Sequence, residues 1–411
     1  MHIRHLSLTN FRNYGRLELD LPLGPILLHG DNAQGKTNLL EAIYYLATTR
    51  SPHADQDAQL INWIAAQSEE PIVVCRLVAD VAAAAEKRQI EMRLIQEVNL
   101  SGRNGGRTFR REALVNRRKV RLMDLLGKLQ VVQFLPEDMQ LVTGPPGNRR
   151  RYMDITLCQI DPIYCRQLSQ YNKILEQRNA LLRRLAEGRG KRDVLPIFTE
   201  KLIKLGSEIF RRRAMFLANL ARETHRIHYE ELTEGKETVR LGYLPRLQEN
   251  GGRRADELIA LEQLGEWLQS HVDDADAVQA RFEQALAAAL PTDMVRCTTS
   301  VGPHRDDWRF WINGRNLASY GSRGQQRSAI LALKLAEIHW MTKISNETPV
   351  LLLDEVVAEL DEHRRALLLT YIKELHQALL TATDPGMFTK DFLRQATTMA
   401  VENGRVIPDK I

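Results

Sequence analysis

Gly30-Asp31-Asn32-Ala33-Gln34-Gly35-Lys36-Thr37 decides the fold. The octet has the form GxxxxGK[ST], and its neighbours supply the setting that form requires. Gly24-Pro25-Ile26-Leu27-Leu28-His29 before it reads as a strand. Leu39, Leu40, Ile43, Tyr44, Leu46 and Ala47 after it recur at helical spacing. Strand, glycine loop and helix in this order make a cradle for a triphosphate. Loop amides at the positive end of a helix attract phosphate oxygens. In such a cradle Lys36 reaches the β and γ phosphates, and the Thr37 hydroxyl holds Mg²⁺.

Two further stretches fit around it. Pro349-Val350-Leu351-Leu352-Leu353-Asp354-Glu355 is an apolar run ending in two acids. Such a run suits a central parallel strand whose carboxyl end faces the ligand crevice. Asp354 is expected to bind Mg²⁺ through water, and Glu355 to polarise the attacking water. Ser322-Arg323-Gly324-Gln325-Gln326-Arg327 precedes a helix carrying Ala329, Leu331, Ala332, Leu335 and Ile338. Gly321 and Gly324 leave amides open at the helix start, which makes either a second anion loop or an ordinary cap. This loop has no lysine. One nucleotide needs one cradle, so the additional loop points to a second copy of the chain closing over the nucleotide.

Bulk properties bound the class. A chain of 411 residues is too long for one core, so two or three domains are expected. With 44% hydrophobic and 27% charged residues, the composition is that of a globular soluble protein. No apolar run approaches a membrane span, and Ile3, Leu6, Leu8 and Phe11 alternate as in a strand; a cytoplasmic location is the expectation. Cys75, Cys158, Cys165 and Cys297 form no CxxC pair and read as small buried residues. A net charge of +5 permits nucleic-acid binding without establishing it.

The pattern along the chain predicts an α/β, P-loop head split by a helical insertion. Residues 1–160 and 291–411 are read as the two parts of the head, and 161–290 as the insertion. Strands are expected at 3–11, 17–21, 71–78, 90–95, 131–135 and 296–301. Hairpins are expected to turn at Asn116-Arg117 and Asn313-Gly314. Between 161 and 232 the pattern is helical. Leu168, Leu175 and Leu182 are spaced by seven, and Tyr171 and Leu185 flank Arg178 in the same way. Gly188-Arg189-Gly190 breaks this seam, and Pro196 opens a second helix carrying Leu202, Leu205, Ile209, Phe216 and Leu220. The pair forms a short antiparallel coiled-coil-like arm or an ordinary helical subdomain.

The lysine loop, the Ser-x-Gly-Gln loop and the Leu-Leu-Leu-Asp-Glu strand, in this order, resemble the ABC-type ATPases. Ala358-Glu359-Leu360-Asp361 resembles their dimer-contact loop. Within that class the chain resembles the RecF family, a bacterial DNA replication and repair group with SMC-type heads. The stretches that carry this are Leu8-Thr9-Asn10-Phe11-Arg12-Asn13-Tyr14, the lysine loop continued through Asn38-Leu39-Leu40-Glu41-Ala42-Ile43, and Pro136-Glu137-Asp138. Gly144-Pro145-Pro146 with Arg149-Arg150-Arg151, Gly302-Pro303-His304-Arg305-Asp306-Asp307 and Gly321 through Arg327 complete the set.

The resemblance implies a head that dimerises around two ATP molecules with Mg²⁺. Each site takes Lys36 and Asp354 from one subunit and Ser322 and Gly324 from the other. Nucleotide contacts fall to residues 30–38, Arg12, Ser322, Arg323, Gly324 and Gln325. Catalysis falls to Lys36, Asp354 and Glu355, and Mg²⁺ to Thr37, Asp354 and Gln133. The resemblance also implies weak ATP hydrolysis and an ATP-induced homodimer that binds DNA where duplex meets single strand. It places the chain in recombinational repair, replication-fork maintenance and the SOS response, loading recombinase with RecR and RecO-type partners.

The chain departs from the pattern in places. The strand Ala378-Leu379-Leu380-Thr381-Ala382-Thr383-Asp384 lacks a terminal switch histidine, leaving Thr383 or Asp384 as γ-phosphate sensors. The Mg²⁺ glutamine is Gln133 or Gln140. Ser51-Pro52-His53 is unusual wording for the family, and Pro52 stiffens that loop.

Residues 101–122 hold eight basic side chains (Arg103, Arg107, Arg110, Arg111, Arg117, Arg118, Lys119 and Arg121) against one acid, Glu112. Arg149-Arg150-Arg151 and Arg211-Arg212-Arg213 are further clusters. Each either tracks DNA phosphates without base readout or pairs with acids elsewhere in the chain. An ATP-gated DNA clamp with slow hydrolysis accounts for more of these features than its rivals. A transporter energy subunit wants the switch histidine, and an SMC-type organiser wants arms of hundreds of residues. A nuclease has only His304, Asp306 and Asp307 to draw on, and these read as a family loop.

Overall fold

The computed structural model describes residues 1–84, 86–98, 107–248 and 254–409. The chain divides into two compact units, Met1–Asp138 with Glu337–Ile411, and Met139–Ala336. Residues 291–336, read above with the C-terminal part of the head, fall in the second unit by this division.

The first unit holds two six-stranded sheets. One is antiparallel, in the order Tyr14–Asp20, His2–Phe11, Ile72–Ala82, Lys87–Val98, Arg107–Val115, Arg118–Val120. Alternation sends Val73, Cys75, Leu77, Ala79 and Val81 into the core. The turn at Asn116-Arg117 closes the last hairpin with φ of 49° and 65°. Both residues are left-handed, as a two-residue turn matched to strand twist demands, even without glycine.

The second sheet runs Arg405–Pro408, Thr397–Glu402, Gly24–His29, Gln377–Ala382, Val350–Asp354, Val131–Phe134. All its pairings are parallel except that of Arg405–Pro408. Leu351, Leu352 and Leu353 are fully buried, which explains the unbroken apolar run. The phosphate-loop strand and the carboxylate strand are not neighbours, because Gln377–Ala382 lies between them. Gln377 is itself fully buried. Its amide accepts from Ile3 N (2.8 Å) and donates to Ile3 O (2.8 Å) and Pro22 O (2.9 Å), stitching the two sheets together. A buried amide left unmatched there would cost on the order of 1–3 kcal/mol.

The second unit is mainly helical, with a small sheet of Arg315–Asn316, Asp307–Ile312 and Val239–Leu244. The β-turn Asn313-Gly314 is present as expected. Asp161 caps the helix Pro162–Ala186 by accepting from Ile163 N and Tyr164 N, and Pro162 occupies its first turn. The helix Leu195–Arg226 packs back against it, and Ala275–Arg296 packs on both.

The seam differs from the leucine heptad. Tyr164, Tyr171, Arg178 and Leu182 are buried, whereas Leu168, Leu175 and Leu185 are half-buried. The reason is polar. Arg178 donates to Asp293 (2.9 Å) and Thr299 (2.6 Å), and the Tyr171 hydroxyl pairs with His304 Nδ1 (2.8 Å). No strand forms at 296–301. The helix runs to Arg296, Cys297 turns left-handed (φ 53°), and the hydroxyls that follow bond to helix side chains. Ser300 donates to Asp293 and Thr299 to Asn179. Cys75, Cys158 and Cys165 are buried as expected, while Cys297 is half-buried.

Arg213 is the hub of this unit. It is 1% exposed and donates to Asp154 (2.7 Å), Asp306 (3.0 Å), Pro303 O (2.5 Å) and the Tyr164 hydroxyl (3.0 Å). Removing the cation strands Asp306, which is fully buried. Arg213→Ala should therefore cost about 3–5 kcal/mol in urea unfolding, whereas Arg212→Ala, at a half-exposed pair, should cost less than about 1 kcal/mol. His304 supplies a pH signature. Burial pushes its imidazole down from 6.5 to about 4. The folded state thus takes up this proton later than the unfolded state. Relative to His304→Gln, the wild-type chain should lose stability as pH falls from 6.5 to about 4. Parallel melts of the two proteins test this.

Candidate functional site

The site is built where the strand Gly24–His29 ends and the helix Lys36–Thr48 begins. Gly30, Ala33 and Gly35 have φ of 141°, 64° and 118°. At Gly30 a Cβ would stand 2.5 Å from Val401 O, and at Gly35 2.5 Å from the Asn13 side chain, so both positions exclude any larger residue. The loop is held from outside by its carbonyls. Asn13 Nδ2 and Gly404 N donate to Gln34 O (2.9 and 3.0 Å), and the Tyr14 hydroxyl donates to Gly35 O (2.9 Å). Asn403 N donates to the Gln34 side chain (2.7 Å), and Asn38 Nδ2 to Asn13 (2.8 Å). In a trans peptide C=O and N–H point oppositely, so these bonds aim the amides of Gly35 and Lys36 away from the support.

Lys36, 4% exposed, donates to Gly30 O (2.7 Å) and Asp31 O (3.0 Å), with its ammonium 3.5 Å from Glu355. Thr37 Oγ1 donates to Asp354 Oδ1 (3.0 Å), and Thr381 Oγ1 donates to the same oxygen (2.7 Å). Thr381 also accepts from Glu355 N (2.9 Å). Burial pushes the Asp354 carboxyl above its ordinary range; the hydrogen bonds from Thr381 and Thr37 pull it back, while Glu355 adds to the push. Glu355 turns left-handed (φ 55°) at the strand end, and its side chain is 42% exposed. A cavity of about 350 Å³ joins these groups, lined by loop residues together with Asp354 and Glu355. His53, Pro136 and Glu137 also line it.

Other candidates lie elsewhere. Arg12 does not line the cavity. It grips the buried Glu41 with two bonds (2.8 and 2.7 Å) and reaches Gln59 O (3.2 Å). Glu41 in turn accepts from Ser51 Oγ (2.5 Å), and Ser51 accepts from His53 N and Ala54 N. Arg12 thereby shapes the turn that presents His53. Gln133 is buried in the strand flanking the carboxylate strand and does not line the cavity; Gln140, in the second unit, is bonded by Asn148 (2.6 Å). Thr383 is exposed, and Asp384 caps the turn at Gly386. The residue that reaches Asp354 from this strand is Thr381, which nothing in the sequence separated from its apolar neighbours.

Ser322, Arg323, Gly324 and Gln325 lie in the second unit at the start of the helix Arg323–Ser345. They form a reciprocal cap: Gln325 N donates to Ser322 Oγ (3.2 Å), and Ser322 N donates to Gln325 Oε1 (2.8 Å). Ser322 and Arg323 are exposed.

The basic clusters are largely internal counter-ions. Arg107 donates to Ala66 O and Ser68 O, Arg110 pairs with Glu97, and Arg111 pairs with Asp57. Lys119 pairs with Glu112, and Arg121 with Asp124. Arg149 is buried against Asp307, Arg150 donates to Asp306 O, and Arg211 pairs with Glu208. Among the described residues, only Arg117 and Arg118 of the first cluster carry exposed guanidiniums with no partner; Arg103 lies outside the described residues.

With this geometry in place, similarity searches give a consistent result. The family model described as the RecF/RecN/SMC N terminal domain matches residues 2–406. DNA replication and repair protein RecF of Chloroflexus aurantiacus is 40% identical over 413 residues, covering 99% of each chain. The chain belongs to the RecF family. Its counterpart from Geobacillus kaustophilus is 36% identical over 99% of each chain. A solved structure described as the recombination mediator protein RecF-ATP in the RecFOR pathway superposes with a TM-score of 0.80 at 29% identity, covering 100% of this chain and 98% of that one. The split P-loop, SMC-type ATPase-head fold expected for the RecF family is thus the one observed.

The support behind the loop is testable without any ligand. Asn13→Ala removes the bonds to Gln34 O and from Asn38, a loss of about 1–2 kcal/mol of local order. Amide exchange across 30–38 should quicken severalfold while that of 195–226 stays unchanged.

Proposed function

We propose that this RecF family member binds ATP and Mg²⁺ in the cradle and works as an ATP-induced homodimer on DNA. The observation that carries the reading is the convergence of Lys36, Thr37, Asp354 and Glu355 on one cavity. The groups fit the ligand. Lys36 would hold the β and γ phosphates, and Thr37 and Asp354, already hydrogen-bonded to each other, would hold the metal. Mg²⁺ bound there would take phosphate oxygens and water among its remaining ligands. Bound Mg²⁺ would neutralise charge developing on the phosphates. Glu355 accepts the proton of the attacking water. Its contact with Lys36 must first break, which accords with slow hydrolysis. The exposed Ser322–Gln325 loop closes the second copy's site, and the Ser322 hydroxyl proton is free to donate because its oxygen accepts from Gln325 N.

The proposed role is in recombinational repair and replication-fork maintenance, with RecO and RecR-type partners, at junctions of duplex and single strand. The family and the solved relative in the RecFOR pathway support it. Among the described residues no helix is long and apolar enough to cross a membrane.

Light scattering and gel mobility with duplex, single-stranded and gapped DNA, with and without ATP, test the reading. Lys36→Ala should abolish ATP-dependent pairing. Glu355→Gln should trap a paired form on DNA in ATP; ordinary dissociation of that variant would contradict the gate. Because Arg117 and Arg118 are the open cations of the basic hairpin, replacing both with Ala should lower DNA affinity and reduce the salt slope by roughly two. An unchanged slope would move the DNA contact elsewhere.

A further inference from the structure

Gln325 has a second partner that the reading above leaves unused. Its Nε2 donates to Glu237 Oε1 at 2.7 Å, a contact spanning 88 residues of chain. Glu237 sits just ahead of the strand Val239–Leu244 and just after the long helix Leu195–Arg226 and its terminal turn Ile227–Leu232. Its backbone is tied to that turn: Glu237 N donates to Thr233 Oγ1 (3.4 Å), whose own proton goes to His228 O (2.9 Å) within the turn. On the other side Thr238 N donates to Asn313 Oδ1 (2.9 Å). The carboxylate is therefore presented from a fixed frame.

An amide can face either way, and only its partners choose. A carboxylate accepts and does not donate. Glu237 therefore draws the NH₂ end of Gln325 toward itself and leaves Oε1 to receive Ser322 N. With the amide reversed, Oε1 would oppose the carboxylate and the NH₂ group would oppose Ser322 N, a donor against a donor. Ser322 N and Glu237 thus select the same orientation of the Gln325 amide, and Glu237 anchors the end that faces away from the cap. We propose that Glu237 is the positioning residue of the Ser322 loop, setting the geometry with which that loop closes the nucleotide site of a second copy. The inference rests on the proposed pairing of two chains and adds the residue that prepares it.

The test is a partner exchange. Pairing in ATP is followed by light scattering across protein concentration, and nucleotide affinity of the single chain by a fluorescent ATP analogue at concentrations below pairing. Glu237→Ala and Gln325→Glu should each raise the concentration for half-pairing about tenfold, the loss expected for a hydrogen bond to a charged group. For Glu237→Ala the single-chain nucleotide affinity should stay within about twofold. Glu237→Gln keeps an acceptor and should pair normally. The double variant Gln325→Glu with Glu237→Gln restores one donor and one acceptor and should recover pairing, which a general weakening of the fold could not produce. Wild-type pairing by Glu237→Ala, or a double variant as impaired as Gln325→Glu alone, overturns the assignment. Ser322→Arg is the control for the underlying reading: if it pairs like wild type, the loop does not close a second copy's site, whatever Glu237 does.

Discussion

The Asp354 carboxylate is the point on which the first unit turns. One oxygen accepts from Thr37, on the helix after the phosphate loop, and from Thr381, on the strand between the phosphate-loop and carboxylate strands. Three elements that are not consecutive in the chain meet at this atom. Burial penalises the charge, and the two hydroxyls are what make it tolerable. Glu355 follows in a left-handed turn whose amide is tied to the same Thr381. The two adjacent acids thus sit in different surroundings, Asp354 buried and Glu355 half-exposed.

A second theme is the use of arginine as internal framing. Arg149, Arg178 and Arg213 are all nearly sealed from solvent and end on Asp307, Asp293 and Asp306. Buried ion pairs of this kind give little net stability over apolar packing, but they penalise any arrangement that separates the partners. They fix where the helices Pro162–Ala186 and Leu195–Arg226 stand relative to the small sheet of their own unit. The loop carrying Ser322 grows out of that sheet, so its placement inherits this rigidity.

Legibility followed sequence distance. The phosphate loop and its strand and helix were readable because all their signals lie within about 25 residues, and both two-residue hairpin turns were readable for the same reason. Of the two heptad rows, Tyr171, Arg178 and Leu182 are buried while Leu168, Leu175 and Leu185 are half-buried; the partners of Arg178 and Tyr171 lie 115 and 133 residues away, which periodicity does not report. The basic clusters stayed open for the same reason: charge is visible in a sequence, but its neutralisation by Asp57, Asp306 or Asp307 is not. Thr381 escaped because a threonine in an apolar strand is ordinary strand composition. Arg12 stands near the loop in sequence, and its bonds to the buried Glu41, 29 residues on, are likewise invisible to spacing.

The hairpin formed by Thr397–Glu402 and Arg405–Pro408 touches the phosphate loop through Asn403, Gly404 and Val401. The strands of this hairpin, 369 residues beyond Gln34 at their turn, therefore brace from behind a loop that is made long before them. At ordinary elongation rates the interval is on the order of tens of seconds. Throughout that time the growing polypeptide carries the lysine loop without its brace. Until residues 397–408 are made, the loop lacks the support that Asn403 and Gly404 give Gln34.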